Sequence, residues 1–317
     1  MNILVLGATG FIGRNLTEKL ALNPANNMYA VSFRSPQYES RDVKWLNVNL
    51  CETEQIKGLF NNIDIVIQAA ATTSGADEIV NKPETHVTDN AIMNSLILRE
   101  ISHQNVKHFI FFSCTTMYQS DTEKKQKETD FDRNLPLYDK YMGVGYTKIY
   151  IENLCEFYSK ICNTKFSVIR HTNVYGPHDK FDLKRSHVMG ATITKVMQSK
   201  ESIEVWGTGS EIRDLLYIDD LAELVQLVIQ KQQDNFLIFN AGSDRGISVT
   251  DLVNKVCRIA NKHLQIIYRR DKPNLNFSFI SDSSKAYKKF GWKANTSLEV
   301  GLNQTIEWWQ NNFLPKE

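Results

Sequence analysis

Three glycines, Gly7, Gly10 and Gly13, stand three residues apart between a short apolar run, Asn2 to Leu6, and an amphipathic stretch, Arg14 to Ala21. A strand that turns through glycine into a helix has few uses. Gly7 permits the tight turn, Gly10 lets backbone N–H groups approach a pyrophosphate, and Gly13 lets the helix lie close on the sheet. This context, rather than the glycines alone, reads as a dinucleotide-binding turn, in which Thr9, Phe11 and Ile12 are further cofactor contacts.

The pattern that follows agrees with it. Strands are expected at Met28 to Phe33, Val43 to Val48, Ile63 to Ala69, His108 to Ser113 and Lys165 to Arg170. Helices are expected at Thr53 to Phe60, Val87 to His103 and Val144 to Ile161. Strands alternating with helices at this spacing imply right-handed crossovers and a parallel sheet. The fold class is therefore α/β, a Rossmann-type doubly wound sheet over residues 1–170 with a smaller substrate-binding lobe over 171–317. A segment at about 213–240, where Leu215 to Ile229 again reads strand then helix, returns to the first unit. Longer polar connections, Pro177 to Lys184 and Asp271 to Asn276, lie in the second half, which ends in a helix from about Leu298 to Trp309.

Composition excludes several classes. With 37 basic and 36 acidic residues the formal charge is +1, which advertises no attraction to nucleic acid or an anionic membrane. The five cysteines show neither a CxxC pair nor a zinc-type spacing with histidine, so no disulfide framework and no metal site are expected. No apolar run approaches a membrane span and no signal peptide precedes the first strand, which points to a reducing cytoplasm.

At the end of the second strand, an NAD-preferring site usually places a carboxylate for the adenosine ribose hydroxyls. Here the chain reads Val31-Ser32-Phe33-Arg34-Ser35. Arg34 is available for a 2′-phosphate, so NADP(H) is expected ahead of NAD(H), unless Arg34 is only a solvated loop charge.

The chain resembles the extended short-chain dehydrogenase/reductase family of nucleotide-sugar epimerases, dehydratases and reductases. The matching pieces are GATGFIG at 7–13, DIVIQAAA at 64–71, Asn90, FFSCTTMY at 111–118, GYTK at 145–148, RHTNVYGP at 170–177, WGTG at 206–209, RDLLYIDD at 213–220 and FGW at 290–292. Gly176 to Asp179, Ser186 to Val188 and Val205 to Arg213 are similar to the GDP-fucose synthase-like branch, whose members epimerise a 4-keto-6-deoxy sugar nucleotide at C3 and C5 and reduce C4 with NADPH. The resemblance implies cofactor contacts at Asn49, Leu50, Ala69, Ala70, Ala71, Asn90, Lys148 and His171 as well.

The family's reductive centre is a Ser or Thr with a Tyr and a Lys spaced YxxxK. Residues i and i+4 are neighbours on a helix, so the ammonium can lower the phenol pKa while holding the nicotinamide ribose. Lys148 stands in place, but four residues earlier is Val144. Tyr146 falls on another helix face, and Tyr141, seven residues before Lys148, lies on the same side but ahead of the helix. The serine position holds Cys114, followed by Thr115 and Thr116, and the branch's epimerisation cysteine falls at Thr116. Cys114, Thr115, Tyr141, Lys148 and His187 are thus the catalytic candidates. A buried apolar role for Cys114 and a substrate-orienting role for His187 are the plainer alternatives. Thr116, Asn173, His187, Trp206 and Arg213 are the substrate candidates, Arg213 offering a planar fork to diphosphate oxygens.

Three activities follow from these residues. One is a C4 oxidoreductase with an atypical acid in place of the phenol. Another is a 3- and/or 5-epimerase centred on His187, and the third is a silent dinucleotide sensor. The partner is a nucleotide-diphosphate sugar, and the family's habit of pairing the Asn90 helix with the lysine helix implies a homodimer. The stripe Ile149, Ile151, Leu154, Cys155 and Tyr158 suits that contact or burial against the sheet.

Overall fold

The computed structural model describes residues 1–40, 42–73, 81–120, 124–183, 185–272 and 277–314. Parts of both long polar connections, Lys184 and residues 273–276, lie outside the described residues.

The first unit runs β1 (Asn2–Leu6), α1 (Phe11–Ala21), β2 (Asn27–Ser32), β3 (Val43–Asn47), α2 (Thr53–Ile56), β4 (Ile65–Gln68), α3 (Thr88–Ile101), β5 (His108–Cys114), α4 (Met142–Tyr158) and β6 (Lys165–His171). It continues through β7 (Asn173–Tyr175), α5 (Val188–Gln198), β8 (Ser202–Trp206), β9 (Ile212–Tyr217), α6 (Ile218–Lys231), β10 (Phe236–Ala241) and β11 (Gly246–Ser248). The chain then ends with α7 (Val249–Ile259), β12 (Gln265–Arg269), α8 (Ser284–Phe290) and α9 (Leu298–Phe313). The helix expected over 53–60 is shorter than its pattern suggests, because Gly58 at φ 75° turns the chain directly after α2.

Seven strands form one parallel sheet in the order β10-β6-β5-β4-β1-β2-β3. The strands read as nearly continuous apolar runs because both faces are covered. Alternate residues of β1 divide accordingly: Ile3 and Val5 pack with α1 and α6, while Leu4 and Leu6 pack with α3 and α4. The return strand β10 extends this sheet beside β6. Outside it, β9 pairs with β7 and β11, and β8 pairs with β12, forming two small sheets on the other side of the cleft. Among the described residues no helix is long and apolar enough to cross a membrane, and no cluster of His, Cys, Asp or Glu fits a metal ion.

On α4, Ile151 and Cys155 turn into the sheet, so that part of the stripe is core. The outer face of the helix instead carries exposed Tyr146, Tyr150 and Phe157, with Tyr150 meeting Ser95 of α3.

One buried ion pair fastens α4 to the sheet. Arg170 of β6 donates Nε and Nη2 to the two oxygens of Glu152 at 3.0 and 2.7 Å, and both side chains are at most 4% exposed. Arg170 Nη1 also donates to the Tyr118 hydroxyl at 2.9 Å, which in turn donates to Asn240 of β10 at 2.7 Å. Ser113 of β5 completes the set by donating to Glu152 at 2.6 Å. Removing one partner of such a pair strands a charge in the interior. The Glu152→Gln variant is therefore expected to lose about 3–5 kcal/mol in urea unfolding. Replacing Glu152 and Arg170 together by Met should cost clearly less than the sum of the single changes; additive losses would show that the pair does not act as a unit.

Candidate active site

The glycine turn is fixed by contact. Gly7 has φ 74°, and a Cβ there would lie 2.5 Å from Ala70 Cα; a Cβ on Gly13 would lie 2.2 Å from the Gly7 carbonyl oxygen. A Cβ on Gly10 would meet only that same oxygen, at 3.3 Å, so Gly10 borders open space at the start of α1. The first backbone N–H groups of α1 point the same way, which makes a cradle that fits a pyrophosphate. Thr9, Phe11 and Ile12 surround the cradle as half-buried residues.

The opposite wall is the segment after β4. Ala69 N–H donates to Leu6 and Ala70 N–H to the Gln68 side chain, while Ala71 is exposed. Asn90 holds this segment by exchanging two hydrogen bonds with the Thr72 backbone at 3.0 and 2.9 Å. At the far end, Asn49 accepts from Cys51 N–H, Leu50 is buried, and the exposed Arg34 lies 5.3 Å from the Phe33 ring. Burial and the charges of Asp89 and Glu52 push the Cys51 thiol up, and Arg34 opposes them, so Arg34 and residues 49–51 share one end of the cleft.

At the other end, β5 and β6 finish side by side, with Cys114 opposite His171. Lys148 Nζ donates to the Phe112 carbonyl at 2.7 Å and sits 4.6 Å over the Phe111 ring. Removal from water holds this ammonium below its ordinary pKa, and Cys114 and Glu152 oppose the shift. His171 donates Nδ1–H to Thr172 O at 2.7 Å, which leaves Nε2 as an acceptor. Burial, with Lys148 and His187 adding to it, pushes its pKa down to about 4, so the ring is neutral at physiological pH.

Cys114 Sγ lies 2.9 Å from Thr116 Oγ1, and Thr115 is buried behind them. Val144 packs against a cluster of Met117, Tyr118, Leu137, Tyr141, Phe277 and Phe279. Tyr141 caps the start of α4 and is 7% exposed, its ring 5.2 Å from Phe277. Burial pushes its hydroxyl up to about 12; the charges of Arg213 and Cys114 also bear on it. Tyr146 is 54% exposed and points away from the cleft.

His187 caps α5. Crowding by surrounding protein, with Lys180 and His86, holds the imidazole below its ordinary pKa. Lys180 Nζ spans the cleft to Thr73, at 2.9 Å from Oγ1 and 3.2 Å from the carbonyl oxygen. Lys180, His86 and Thr73 were not singled out from the sequence. Their contacts join segments about a hundred residues apart, and no local pattern signals them.

On β9 and β7, Arg213 donates Nη1 to the Phe277 carbonyl, and Asn173 Nδ2 donates to Asp214 O at 3.4 Å. Trp206 is half-buried, with Lys195 Nζ 5.2 Å above its ring. Arg213 thus meets Tyr141 at Phe277, whereas Asn173 bonds only the backbone of β9 and Trp206 stands apart under Lys195.

The cradle makes a measurable distinction. Gly10→Ala adds a methyl to the open side, so it should keep the unfolding midpoint while weakening NADPH binding by tenfold or more on the order expected for a blocked phosphate contact. Gly13→Ala drives a methyl into the Gly7 carbonyl and should lower the midpoint itself. Fluorescence titration with NADPH beside thermal unfolding separates the two, and equal effects on both readouts would contradict the assignment.

The model of the NAD dependent epimerase/dehydratase family matches residues 3–242. The chain is 29% identical over 251 residues to a GDP-L-fucose synthase of Sinorhizobium fredii, covering 78% of this chain and 79% of that protein. It is 24% identical over 318 residues to the GDP-L-colitose synthase of Yersinia pseudotuberculosis, covering 98% of each. Among solved structures, the UDP-glucose 4-epimerase of Thermotoga maritima with UDP-glucose superposes at a TM-score of 0.86 and 27% identity, covering 98% of this chain and 99% of that one. The family match spans three quarters of the chain: the chain belongs to the NAD dependent epimerase/dehydratase family.

Proposed function

We propose that the protein is an NAD(P)-dependent oxidoreductase acting at C4 of a 4-keto-6-deoxy sugar nucleotide, with the Cys114 thiol as proton donor in place of the usual phenol. The observation that carries this reading is the meeting of Cys114, Lys148 and His171 at the paired ends of β5 and β6. The names of the fucose and colitose synthases support it.

Bound NAD(P)H supplies the hydride. Thr9 to Gly13, Asn49, Leu50, Ala69 to Ala71 and Asn90 would line its site, with Lys148 on the nicotinamide ribose. Cys114 holds a proton toward the C4 oxygen and gives it up as the alcohol forms, and water then restores it. Thr116, Asn173 and Arg213 orient the sugar diphosphate, and the neutral His171 adds no competing charge. The substitution of Val144 makes this a different acid at the same carbonyl rather than a lost site.

A second reading, epimerisation at C3 and/or C5 with His187 as acid/base, is favoured by one observation. Surrounding protein, Lys180 and His86 hold this imidazole below its ordinary pKa, toward the neutral form that a base needs before it takes a proton from carbon. Soluble cytoplasmic residence and a homodimer joined through the α3 and α4 face carrying Ile92, Tyr146, Tyr150 and Phe157 complete the proposal.

An NMR time course in D2O with NADPH and a GDP-4-keto-6-deoxy sugar tests both readings. Hydride at C4 is expected, with Cys114→Ala slowing it by about 10²–10⁴-fold. Deuterium at C3 or C5 without reduction moves the function to an epimerase, and an unchanged spectrum argues for a sensor. For the cofactor, Arg34→Ala is expected to weaken NADPH by roughly tenfold while leaving NADH unchanged; equal losses would remove Arg34 from the 2′-phosphate.

A further inference from the structure

The glycine cradle fits a pyrophosphate, yet neither of its walls carries a cation. Residues 7–13 and 69–73 read GATGFIG and AAATT, with no lysine or arginine among them. Arg14, the next residue along α1, is engaged elsewhere: its Nε donates to Glu18 at 2.8 Å, and its guanidinium lies 4.3 Å from the Tyr38 ring. Backbone N–H groups and a helix N-terminus offer only partial charge to a bridge whose two phosphates are both ionised.

The segment between β7 and α5 brings a full charge to the same place. It sets out from α1, where the Pro177 carbonyl accepts from Asn15 Nδ2 at 2.9 Å. Asn15 Nδ2 also reaches the Phe11 carbonyl at 2.9 Å, in the turn that forms the cradle. Three residues after Pro177, Lys180 Nζ donates to Thr73 on the opposite wall, at 2.9 Å from Oγ1 and 3.2 Å from the carbonyl oxygen. The segment thus starts at one wall and its ammonium ends at the other, so the lysine crosses the mouth of the cradle. Its backbone is fixed there. Lys180 N–H donates to Asp179 Oδ1 at 2.7 Å, and a Cβ on Gly190 of α5 would lie 2.3 Å from the Lys180 carbonyl oxygen. The next residue, Phe181, accepts from Thr194 Oγ1 at 2.9 Å and stacks on Trp308 of α9 with ring centroids 5.6 Å apart. The ammonium rides on a flexible four-carbon stem, so it can shift within the mouth while the segment stays in place.

We infer that Lys180 is the cation for the pyrophosphate of the dinucleotide: as the cofactor enters, the ammonium exchanges the neutral acceptors of Thr73 for an ionised phosphate oxygen. A hydrogen bond to an ionised acceptor is roughly twice as strong as one to a neutral acceptor, which drives the exchange. The cofactor is then held from both sides of the cleft, by the backbone of α1 beneath it and by a side chain that no local pattern near the glycines signals. The inference rests on the dinucleotide reading of the cradle and holds for NADH as for NADPH. A sugar nucleotide carries a diphosphate of the same chemistry, and the measurement separates the two sources.

Equilibrium titration of the full chain with NADPH, NADH, GDP and UDP tests it, in the wild type and in Lys180→Met and Lys180→Arg, with the thermal midpoint of each cofactor-free variant reporting its folding. Lys180→Met should weaken NADPH and NADH by the same factor, about tenfold, as one charge-assisted hydrogen bond implies, because both carry the pyrophosphate. Binding of GDP and UDP should stay level, and Lys180→Arg should restore most of the cofactor affinity. A loss confined to NADPH would place the ammonium at the 2′-phosphate, and a loss confined to GDP or UDP would give it to the substrate; either overturns the assignment, as does a methionine variant that binds all four ligands like the wild type. A wild type that binds neither NADPH nor NADH overturns the dinucleotide reading of the cradle and this inference with it.

Discussion

The Arg170–Glu152 pair sets the geometry on which the catalytic end depends. A guanidinium and a carboxylate withdrawn from water attract each other strongly, but they recover their lost hydration only if every donor and lone pair finds a partner. Here Ser113, Tyr118 and Asn240 supply those partners from β5, the segment after β5 and β10. Glu152 lies one turn after Lys148 on α4, so the pair fixes the depth and rotation of that helix and brings the lysine to the Phe112 carbonyl. Burial holds the Lys148 ammonium below its ordinary pKa, and the carboxylate of Glu152 works against that shift.

This arrangement explains how the helix tolerates Val144. In the usual constellation the phenol and the lysine share one face; here the lysine is held by the Phe112 carbonyl of β5, independent of what stands four residues earlier. The vacated position is filled by apolar packing around Met117, Leu137 and Tyr141. Tyr141 lies on the right side of the helix, two turns before Lys148, but burial raises its pKa, and the charge of Arg213 does not offset that rise. Cys114 sits beside the ammonium instead, which is why the thiol rather than this phenol is assigned the proton.

What was legible in the sequence was local. The glycine turn, the strand alternation and the spacing to Lys148 each lie within one element or one crossover, and the seven-stranded parallel sheet follows from them. Gly58 defeated the helix expected over 53–60, because one residue at positive φ outweighs a favourable apolar pattern. The buried pair was not legible, since Arg170 and Glu152 look like ordinary charges until β6 and α4 are packed together. Lys180 and Thr73, 107 residues apart, meet only across the cleft.

Net charge illustrates the same limit. A formal charge of +1 over 317 residues advertises no anionic ligand, yet the cleft gathers Arg34 at one end, Lys148 at the other, Lys180 across it and Arg213 on β9. The two histidines between them are held neutral, so the positive potential comes from the fixed cations and changes little between pH 6 and 8. A field of this kind is set by where charges are brought together, not by how many there are, and low-dielectric walls concentrate it. It suits a ligand that carries its own negative charge along the cleft, as a dinucleotide and a sugar diphosphate both do.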